Sequence, residues 1–210
     1  MSAHPLATYQ LLDRQQGKPF ELSLWQPVAD RHSQDFEQHW RPIFDAHLAQ
    51  IEAAGGDVAA AAALRNIQDA HWEWARKAHL IEGRLDWQSF AVEADGMTQG
   101  LMFVKTQGFA REPSQQGKPL ALIELIATAP WNRPTLVPVP RFKGVGRLLL
   151  AAAISLSVHE EFEGRIGLHA LPQAEDWYRQ VCGMTDLGVD QTRMRYFEMT
   201  EAQARAFLEN

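Results

Sequence analysis

The sequence predicts an α/β fold, with a central mixed β-sheet flanked by helices, and three stretches carry this prediction. Leu120–Ala129 is an apolar run with the length and composition of a buried strand. A glycine turn follows at Arg141–Gly146, and the strong helix formers of Arg147–Ile154 come directly after it. Upstream, Trp87–Ala94 resembles a strand and ends at Asp95-Gly96, which is a hairpin signal. Strands, a hairpin and a strand–turn–helix unit therefore occur in one chain.

The first half of the chain is predicted to contain one strand and two helices. Phe20–Trp25 alternates apolar and polar residues, and Pro27 ends this strand. The next segment has aromatic and aliphatic residues at helical spacing, with Pro42 inside the pattern, so a kink is expected there. Gly55-Gly56 ends this helix. The alanine-rich segment that follows predicts a second helix over Asp57–Ile81.

The second half of the chain is predicted to continue with strands and shorter helices. A partner strand completes the hairpin, and a polar loop separates it from the apolar run at Leu120. The predicted elements are a strand over Met97–Thr106, a loop over Gln107–Lys118, a strand over Arg165–Ala170, a helix over Ala174–Val181, one or two strands within Asp190–Met199 and a terminal helix over Glu201–Leu208.

Length, composition and charge limit the classes of protein to consider. The 210 residues suffice for one domain, and we expect a single domain over residues 1–210. The 46% hydrophobic and 22% charged content is typical of a globular protein, and the net charge of −6 argues against nucleic-acid binding driven by overall charge. The single cysteine, Cys182, excludes an internal disulfide and a cysteine-rich metal site.

No targeting or membrane segment is apparent from the sequence. The first residues lack a basic region followed by an apolar core, and no apolar run has the length needed to span a bilayer. We therefore expect a cytoplasmic protein with neither a membrane nor a nucleic-acid partner. The histidines show no persuasive metal-binding spacing, so no metal is expected.

The glycine turn has the chemistry of an anion-binding site. First-turn amides of a helix have no intrahelical partner, and the helix dipole places partial positive charge beside them. Glycines allow close approach of a phosphate, and Arg141, Lys143 and Arg147 add positive charge. The turn lacks the Walker spacing, and Leu149 stands where a dinucleotide-binding pattern needs its third glycine. The remaining pattern is Arg-x-x-Gly-x-Gly after a strand; the alternative is a turn that only connects strand to helix.

With this pattern between a buried strand and an apolar helix, the chain resembles the GCN5-related N-acetyltransferase (GNAT) superfamily. The order of predicted elements extends the resemblance over nearly the whole chain. It implies a GNAT acyl-CoA acyltransferase fold and acetyl-CoA as co-substrate. It also implies that the turn binds the pyrophosphate and that the end of the preceding strand, where it splays from its neighbour, binds the pantetheine arm through main-chain groups. The cofactor-binding residues are then Thr128, Ala129, Arg141, Phe142, Lys143, Gly144, Val145, Gly146 and Arg147.

Two residues are candidates for acid–base catalysis. Glu124 lies in the apolar run, where desolvation by its neighbours would make its carboxylate a stronger proton acceptor, as a general base requires. The resemblance implies that Glu124 accepts the proton of the attacking amine. The alternative is that Glu124 is a strand residue that faces solvent or pairs with an arginine. Tyr178 precedes Gly183, and the resemblance makes it the acid that protonates the departing thiolate; the alternative is a tyrosine of the core.

The resemblance therefore predicts an N-acetyltransferase that transfers the acetyl group of acetyl-CoA to an amine by direct attack, without a covalent enzyme intermediate. The alternatives are a non-catalytic acyl-CoA-binding sensor or partner protein and a plain nucleotide-binding protein. The proline-rich segment Trp131–Pro140 departs from the family pattern because it is longer than the usual connection. The acceptor, a small-molecule or peptide amine, is not specified by the sequence, and a homodimer is possible.

Overall fold

A computed structural model describes residues 4–55, 57, 60–61 and 67–209. Eight strands form one sheet in the order β1-β2-β3-β4-β5-β6-β8-β7. The strands are β1 Ala7–Asp13, β2 Lys18–Trp25, β3 Trp87–Ala94, β4 Met97–Phe109, β5 Pro119–Thr128, β6 Ile166–Ala170, β7 Thr185–Val189 and β8 Arg195–Met199. The α-helices are α1 Asp30–Asp35, α2 Arg41–Ala53, α3 Trp74–Ile81, α4 Val145–His159 and α5 Glu201–Glu209.

The sheet is mixed, as the sequence predicts. Strand β6 is parallel to β5 and antiparallel to β8, and β1 with β2 and β2 with β3 form antiparallel pairs. Asp95 and Gly96 have positive φ angles of 56° and 68°, which is the conformation expected of the Asp-Gly turn between β3 and β4. The predicted fold class is therefore confirmed.

The chain divides into two compact units. The first contains Met1–Gly83, Ser89–Leu101 and Ile126–Leu149, and the second contains Arg84–Gln88, Met102–Leu125 and Leu150–Asn210. The expectation of a single domain stays a prediction.

The first unit contains an aromatic core formed by the segment between α1 and α2 together with helices α2 and α3. The ring of Phe36 lies 5.3 Å from that of Trp40, 6.2 Å from that of Phe44 and 6.1 Å from that of Trp74. A π-helical turn, Phe36–Trp40, joins α1 to α2 and places Pro42 in the first turn of α2. Proline is tolerated there because a first-turn N–H has no acceptor within the helix, so none is lost. The interruption expected at Pro42 therefore lies just before it, in the π-helical turn.

The N-terminal part of the chain differs from the prediction in two ways. Strand β1 was not predicted; its alternating exposed and half-buried residues are those of an edge strand that pairs with β2. The predicted helix over Asp57–Ile81 is not continuous, because Ile67–Glu73 is not helical, while residues 56, 58–59 and 62–66 lie outside the described residues. Arg41 donates to the carbonyls of Ala70 and Trp72, and these tertiary bonds hold the non-helical segment.

The second unit packs apolar side chains of β6, β8, α4 and α5. Ile154, Ile166 and Phe197 are fully or almost fully buried, and Ala204 of α5 lies where a Cβ on Gly164 would come within 3.1 Å. Strand β7 was not predicted, whereas β8 falls within the predicted range Asp190–Met199. Among the described residues, no helix combines the length and apolarity that a membrane crossing requires.

Candidate cofactor-binding turn and acid–base residues

The glycine turn leads directly into α4. Gly144 has a φ of 114°, a conformation that residues with a Cβ adopt only under strain. Leu148 N–H donates to Gly144 C=O at 2.9 Å, which is the first bond of the helix. The amides of Val145 and Gly146 therefore precede the intrahelical ladder, as is usual at a helix N-terminus. Lys143 is exposed beside them, so the predicted strand, glycine turn and helix are found with the geometry that favours an anion.

Arg141, the first residue of the turn, is bound to the β1–β2 hairpin. Its Nε donates to Oδ2 of Asp13 at 3.0 Å, and its C=O accepts from the amide of Arg14 at 2.8 Å. The carboxylate of Asp13 is fully buried. Although burial acts to raise its pKa, the hydrogen bonds from Arg141 and from two amides of the hairpin hold that pKa below its usual range. The structure thus gives Arg141 a protein partner that the sequence did not reveal.

Phe142 fixes the middle of the turn from inside the protein. Its side chain is buried, with its ring 5.8 Å from that of Phe20. Its amide donates to Oδ1 of Asn132 at 2.9 Å, and its backbone forms an isolated bridge with Asp13. The Phe142 amide is therefore already satisfied within the protein, which leaves the later residues of the turn to contact a ligand.

Gly100 of β4 allows the start of α4 to lie close to the strand. A Cβ at this position would come within 2.8 Å of Val145 Cγ1 and 2.9 Å of Leu149 Cδ1. Such distances would force the side chains of the first helical turns to move. Gly100 was missed in the sequence because a glycine within a strand pattern gives no indication of what approaches it.

The end of β5 is held by a buried ion pair. Arg133 donates from Nε and Nη2 to the Thr128 carbonyl at 2.9 and 2.7 Å. The same guanidinium donates to both carboxylate oxygens of Asp69, at 2.7 and 2.6 Å. The amide of Ala129 donates to the carbonyl of Gln99 at 2.9 Å. The Thr128 carbonyl and the Ala129 amide, which the resemblance assigned to the pantetheine arm, thus already have protein partners.

Strands β5 and β6 part earlier than predicted. Their register pairs Ala121–Ile123 with Ile166–Leu168 and ends there within the described residues. Glu124 is the next residue of β5, so it lies at the point where pairing stops rather than within a paired stretch. Its side chain is exposed, so it lacks the desolvation on which the general-base expectation rested, and the solvent-facing alternative describes its position. An exposed carboxylate at the end of a strand pairing is accessible to an amine or to water.

Tyr178 lies in a π-helical turn, Trp177–Val181, rather than in the predicted α-helix over Ala174–Val181. It is buried, and its ring lies 5.1 Å from that of Trp177 and 5.9 Å from that of Phe197. The turn is followed by Gly183, whose φ is 67°.

An ion cluster in the second unit holds this turn to β7 and β8. Asp186 accepts from Arg179 Nη2 at 2.8 Å and from Arg195 Nη1 at 3.0 Å. Burial acts to raise the pKa of Asp186, but the hydrogen bonds from Arg179, from the amide of Gly188 and from Arg195 lower it to about 2. The carboxylate therefore stays charged and keeps Arg179, the neighbour of Tyr178, in place.

Within residues 4–55, 57, 60–61 and 67–209, no group of three or more His, Cys, Asp or Glu side chains is arranged to hold a metal ion. Cys182 is buried, in line with a role in the core rather than as a nucleophile.

Comparison with known proteins identifies the fold. No family model matches the sequence, and no curated protein matches it. Among solved structures, the PaiA N-acetyltransferase of Thermoplasma acidophilum in complex with coenzyme A matches 85% of this chain and 98% of its own, with 12% identity and a TM-score of 0.50. FeeM, an N-acyl amino acid synthase from uncultured soil microbes, matches 89% of this chain and 95% of its own, with 13% identity and a TM-score of 0.51. The chain has the fold of the GCN5-related N-acetyltransferases.

Proposed function

We propose that the chain is an N-acetyltransferase that transfers the acetyl group of acetyl-CoA to an amine. The glycine turn carries this proposal, because it combines a positive φ at Gly144 with helix amides that precede the first bond of α4. Such a turn binds phosphate oxygens through main-chain N–H groups and the helix dipole. The fold supports the choice of ligand, since the similar PaiA structure contains coenzyme A.

Within the turn, we assign the pyrophosphate to the amides of Gly144, Val145 and Gly146 and to the charges of Lys143 and Arg147. Arg141 and Phe142 keep a place in the site as the residues that hold the turn, since Asp13 and Asn132 already bind them. We place Thr128 and Ala129 beside the pantetheine arm, where the Thr128 carbonyl and the Ala129 amide are already bonded to Arg133 and to the Gln99 carbonyl.

The proposed reaction is a direct acyl transfer. The amine nitrogen attacks the thioester carbonyl, a C–N bond forms, and the C–S bond breaks as the tetrahedral intermediate collapses. Glu124 accepts the proton of the amine, directly or through water, and its exposed position at the end of the β5–β6 pairing makes it accessible to either. Tyr178 donates a proton to the thiolate, since an ordinary phenol is protonated at neutral pH.

Calorimetric titration with acetyl-CoA tests the proposal, with NAD and ATP as controls. We expect about one site per chain with micromolar affinity for acetyl-CoA and no heat of binding for NAD or ATP. Release of free thiol in the presence of a panel of amines, small molecules and peptides, then tests turnover. In that assay Glu124→Gln should lower kcat by roughly 10²-fold, whereas Glu21→Gln, an exposed carboxylate of β2, serves as the matched control. Absence of acetyl-CoA binding by the wild-type protein would overturn the proposal.

A CoA-binding module without turnover is the second candidate, and the burial of Tyr178 is the observation that favours it. Tight binding of acetyl-CoA together with no thiol release for any amine would select this candidate. The cytoplasmic location, the absence of metal and nucleic acid, and a homodimer stay predictions.

A further inference from the structure

The proline-rich segment after β5 leaves and returns at one place. Arg141 N–H donates to Trp131 C=O at 2.9 Å, and Phe142 N–H donates to Asn132 Oδ1 at 2.9 Å. These two bonds close the base of the loop, so the added length is an excursion from a fixed neck. The neck is also the start of the glycine turn, since Arg141 and Phe142 are its first residues.

A buried amide on β4 holds this neck. Gln99 is fully buried, and its Oε1 accepts from Trp131 Nε1 at 2.7 Å and from Asn132 Nδ2 at 3.0 Å. Its Nε2 donates to the carbonyl of Met97 at 3.0 Å. The orientation of both amides follows from their partners, because an indole N–H and a backbone N–H can only donate. Gln99 Oε1 must therefore face Trp131, and Asn132 Oδ1 must face Phe142.

We propose that Gln99 and Asn132 are positioning residues of the coenzyme-binding turn, a role that rests on the proposed function. The hydrogen-bond path runs from β4 through Gln99 to Asn132 and from Asn132 to the Phe142 amide. Phe142 is two residues before Gly144, so the path sets where the turn begins relative to the strand. Gln99 is fully buried, and a hydrogen-bonded network around a buried side chain favours one geometry. A turn that must place several amides on one pyrophosphate benefits directly from such a restraint.

The proline-rich segment thereby has a role at its base, where Trp131 and Asn132 help to position the glycine turn. The bonds made by Trp131 and Asn132 connect this segment to the start of the glycine turn and do not depend on what the exposed residues of the loop contact. Removal of the Asn132 amide would leave the Phe142 N–H without its acceptor in a partly buried position, and the turn would then sample other conformations.

Asn132→Ala tests the proposal by calorimetry with CoA. We expect the dissociation constant to rise roughly 5- to 50-fold, with a fall of only a few degrees in the thermal midpoint because Asn132 is half-buried. Val139→Ala is the matched control from the same loop, since the Val139 side chain is 46% exposed. Its CoA affinity should equal that of the wild type. Equal affinity of Asn132→Ala and wild type for CoA would overturn the proposal.

A second readout separates positioning of the pyrophosphate site from general damage. Acetyl-pantetheine has the thioester but lacks the pyrophosphate, so Asn132→Ala should reduce kcat/KM for acetyl-CoA while that for acetyl-pantetheine stays within about twofold of wild type. A parallel loss with both substrates would contradict the proposal. Gln99→Leu, which removes the same path at its other end, should not add its full effect to that of Asn132→Ala. If the wild-type protein itself fails to bind CoA, the proposed function fails instead, which distinguishes the two.

Discussion

Arg141 Nε donates to Oδ2 of Asp13 at 3.0 Å, so the arginine that opens the glycine turn is paired with a buried carboxylate of the β1–β2 hairpin. This pair joins residues far apart in the sequence, and it shares its place with the Arg14–Arg141 backbone bond. Arg141, which the sequence assigned to phosphate binding, therefore holds the turn against the hairpin. A buried carboxylate that loses its partner is strongly destabilising.

Asp13→Asn should weaken CoA binding even though it removes no group that contacts the ligand. Without the charged partner, Arg141 loses its hold on the hairpin and the turn loses a restraint, so we expect a several-fold rise in the dissociation constant. Arg141→Met should lower the free energy of unfolding by roughly 3 kcal/mol, since it leaves the buried Asp13 carboxylate without its cationic partner, with only two amides as donors. Urea unfolding and calorimetry measure the two effects.

Arg14→Met is the control for both variants, because the Arg14 side chain is exposed and its backbone bond to Arg141 remains. It should change neither stability nor affinity measurably. If Arg141 instead binds phosphate directly, Asp13→Asn would free the guanidinium and leave CoA binding unchanged or tighter.

Gly144→Ala should reduce CoA affinity through backbone strain. The φ of 114° is unfavourable for alanine, whereas the nearest atom to the added Cβ, Leu11 Cδ2, is at an ordinary 3.5 Å. The cost is of the order of 1–3 kcal/mol, and relief of that strain would change the path of the turn. We expect at least a tenfold loss of CoA affinity, and Gly144→Asp should lose more because it adds negative charge beside the pyrophosphate. Calorimetry with CoA measures both.

Gly117→Ala provides the matched control for that experiment. Gly117 also has a positive φ, of 77°, and a Cβ there would meet no atom within 4 Å. This variant should lose a similar amount of stability without loss of CoA affinity. Full CoA affinity in Gly144→Ala would contradict the assignment of the turn.

Local sequence signals predicted the parts of the fold that depend on neighbouring residues. The Asp-Gly hairpin, the apolar run of β5 and the glycine turn with α4 each carry their own pattern, and the structure has all of them. The prediction of a continuous helix over Asp57–Ile81 failed at Ile67–Glu73, beyond the alanine run, where Arg41 donates to the carbonyls of Ala70 and Trp72. Local propensity does not reveal such tertiary bonds.

The surroundings of the candidate site depend on contacts that sequence spacing does not reveal. Gln99 and Asn132 belong to different elements, and nothing in either local pattern indicates that they share a hydrogen bond. The burial expected for Glu124 was inferred from its apolar neighbours, but the end of the β5–β6 register leaves that residue exposed. The π-helical turn at Tyr178 keeps nearly helical side-chain spacing, so periodicity could not separate it from an α-helix.

Tyr178→Phe should lower turnover while CoA affinity stays near that of the wild type. The substitution keeps the ring contacts with Trp177 and Phe197 and removes the hydroxyl that is the proposed proton donor. A general-acid role predicts a loss of roughly 10²-fold in kcat. Steady-state thiol release and calorimetry with CoA give the two quantities. Tyr9→Phe on β1 is the control, and equal kcat for Tyr178→Phe and wild type would remove the acid role.

Asp186→Asn should destabilise the protein in a manner that depends on pH. The folded-state pKa of Asp186 is about 2, below the ordinary value of 3.8, because Arg179, the Gly188 amide and Arg195 outweigh the effect of burial. A depressed carboxyl pKa contributes stability that is fully present above about pH 4 and is lost as the pH falls toward 2. The difference in unfolding free energy between wild type and variant should therefore be roughly 1–2 kcal/mol at pH 7, allowing for the 22% exposure of the side chain.

Urea unfolding of both proteins at pH 7, 5, 4 and 3 measures this difference, which should stay constant to about pH 4 and shrink below it. Asp176→Asn is the matched control, because its carboxylate binds the same Arg179 at 2.8 Å but is 81% exposed. Exposed pairs contribute little, so this variant should differ from the wild type by less than about 0.5 kcal/mol at every pH. Since Arg179 follows Tyr178 directly, Asp186→Asn should also reduce kcat more than CoA affinity. If the difference in unfolding free energy does not change between pH 7 and pH 3, the charge of Asp186 is not its source.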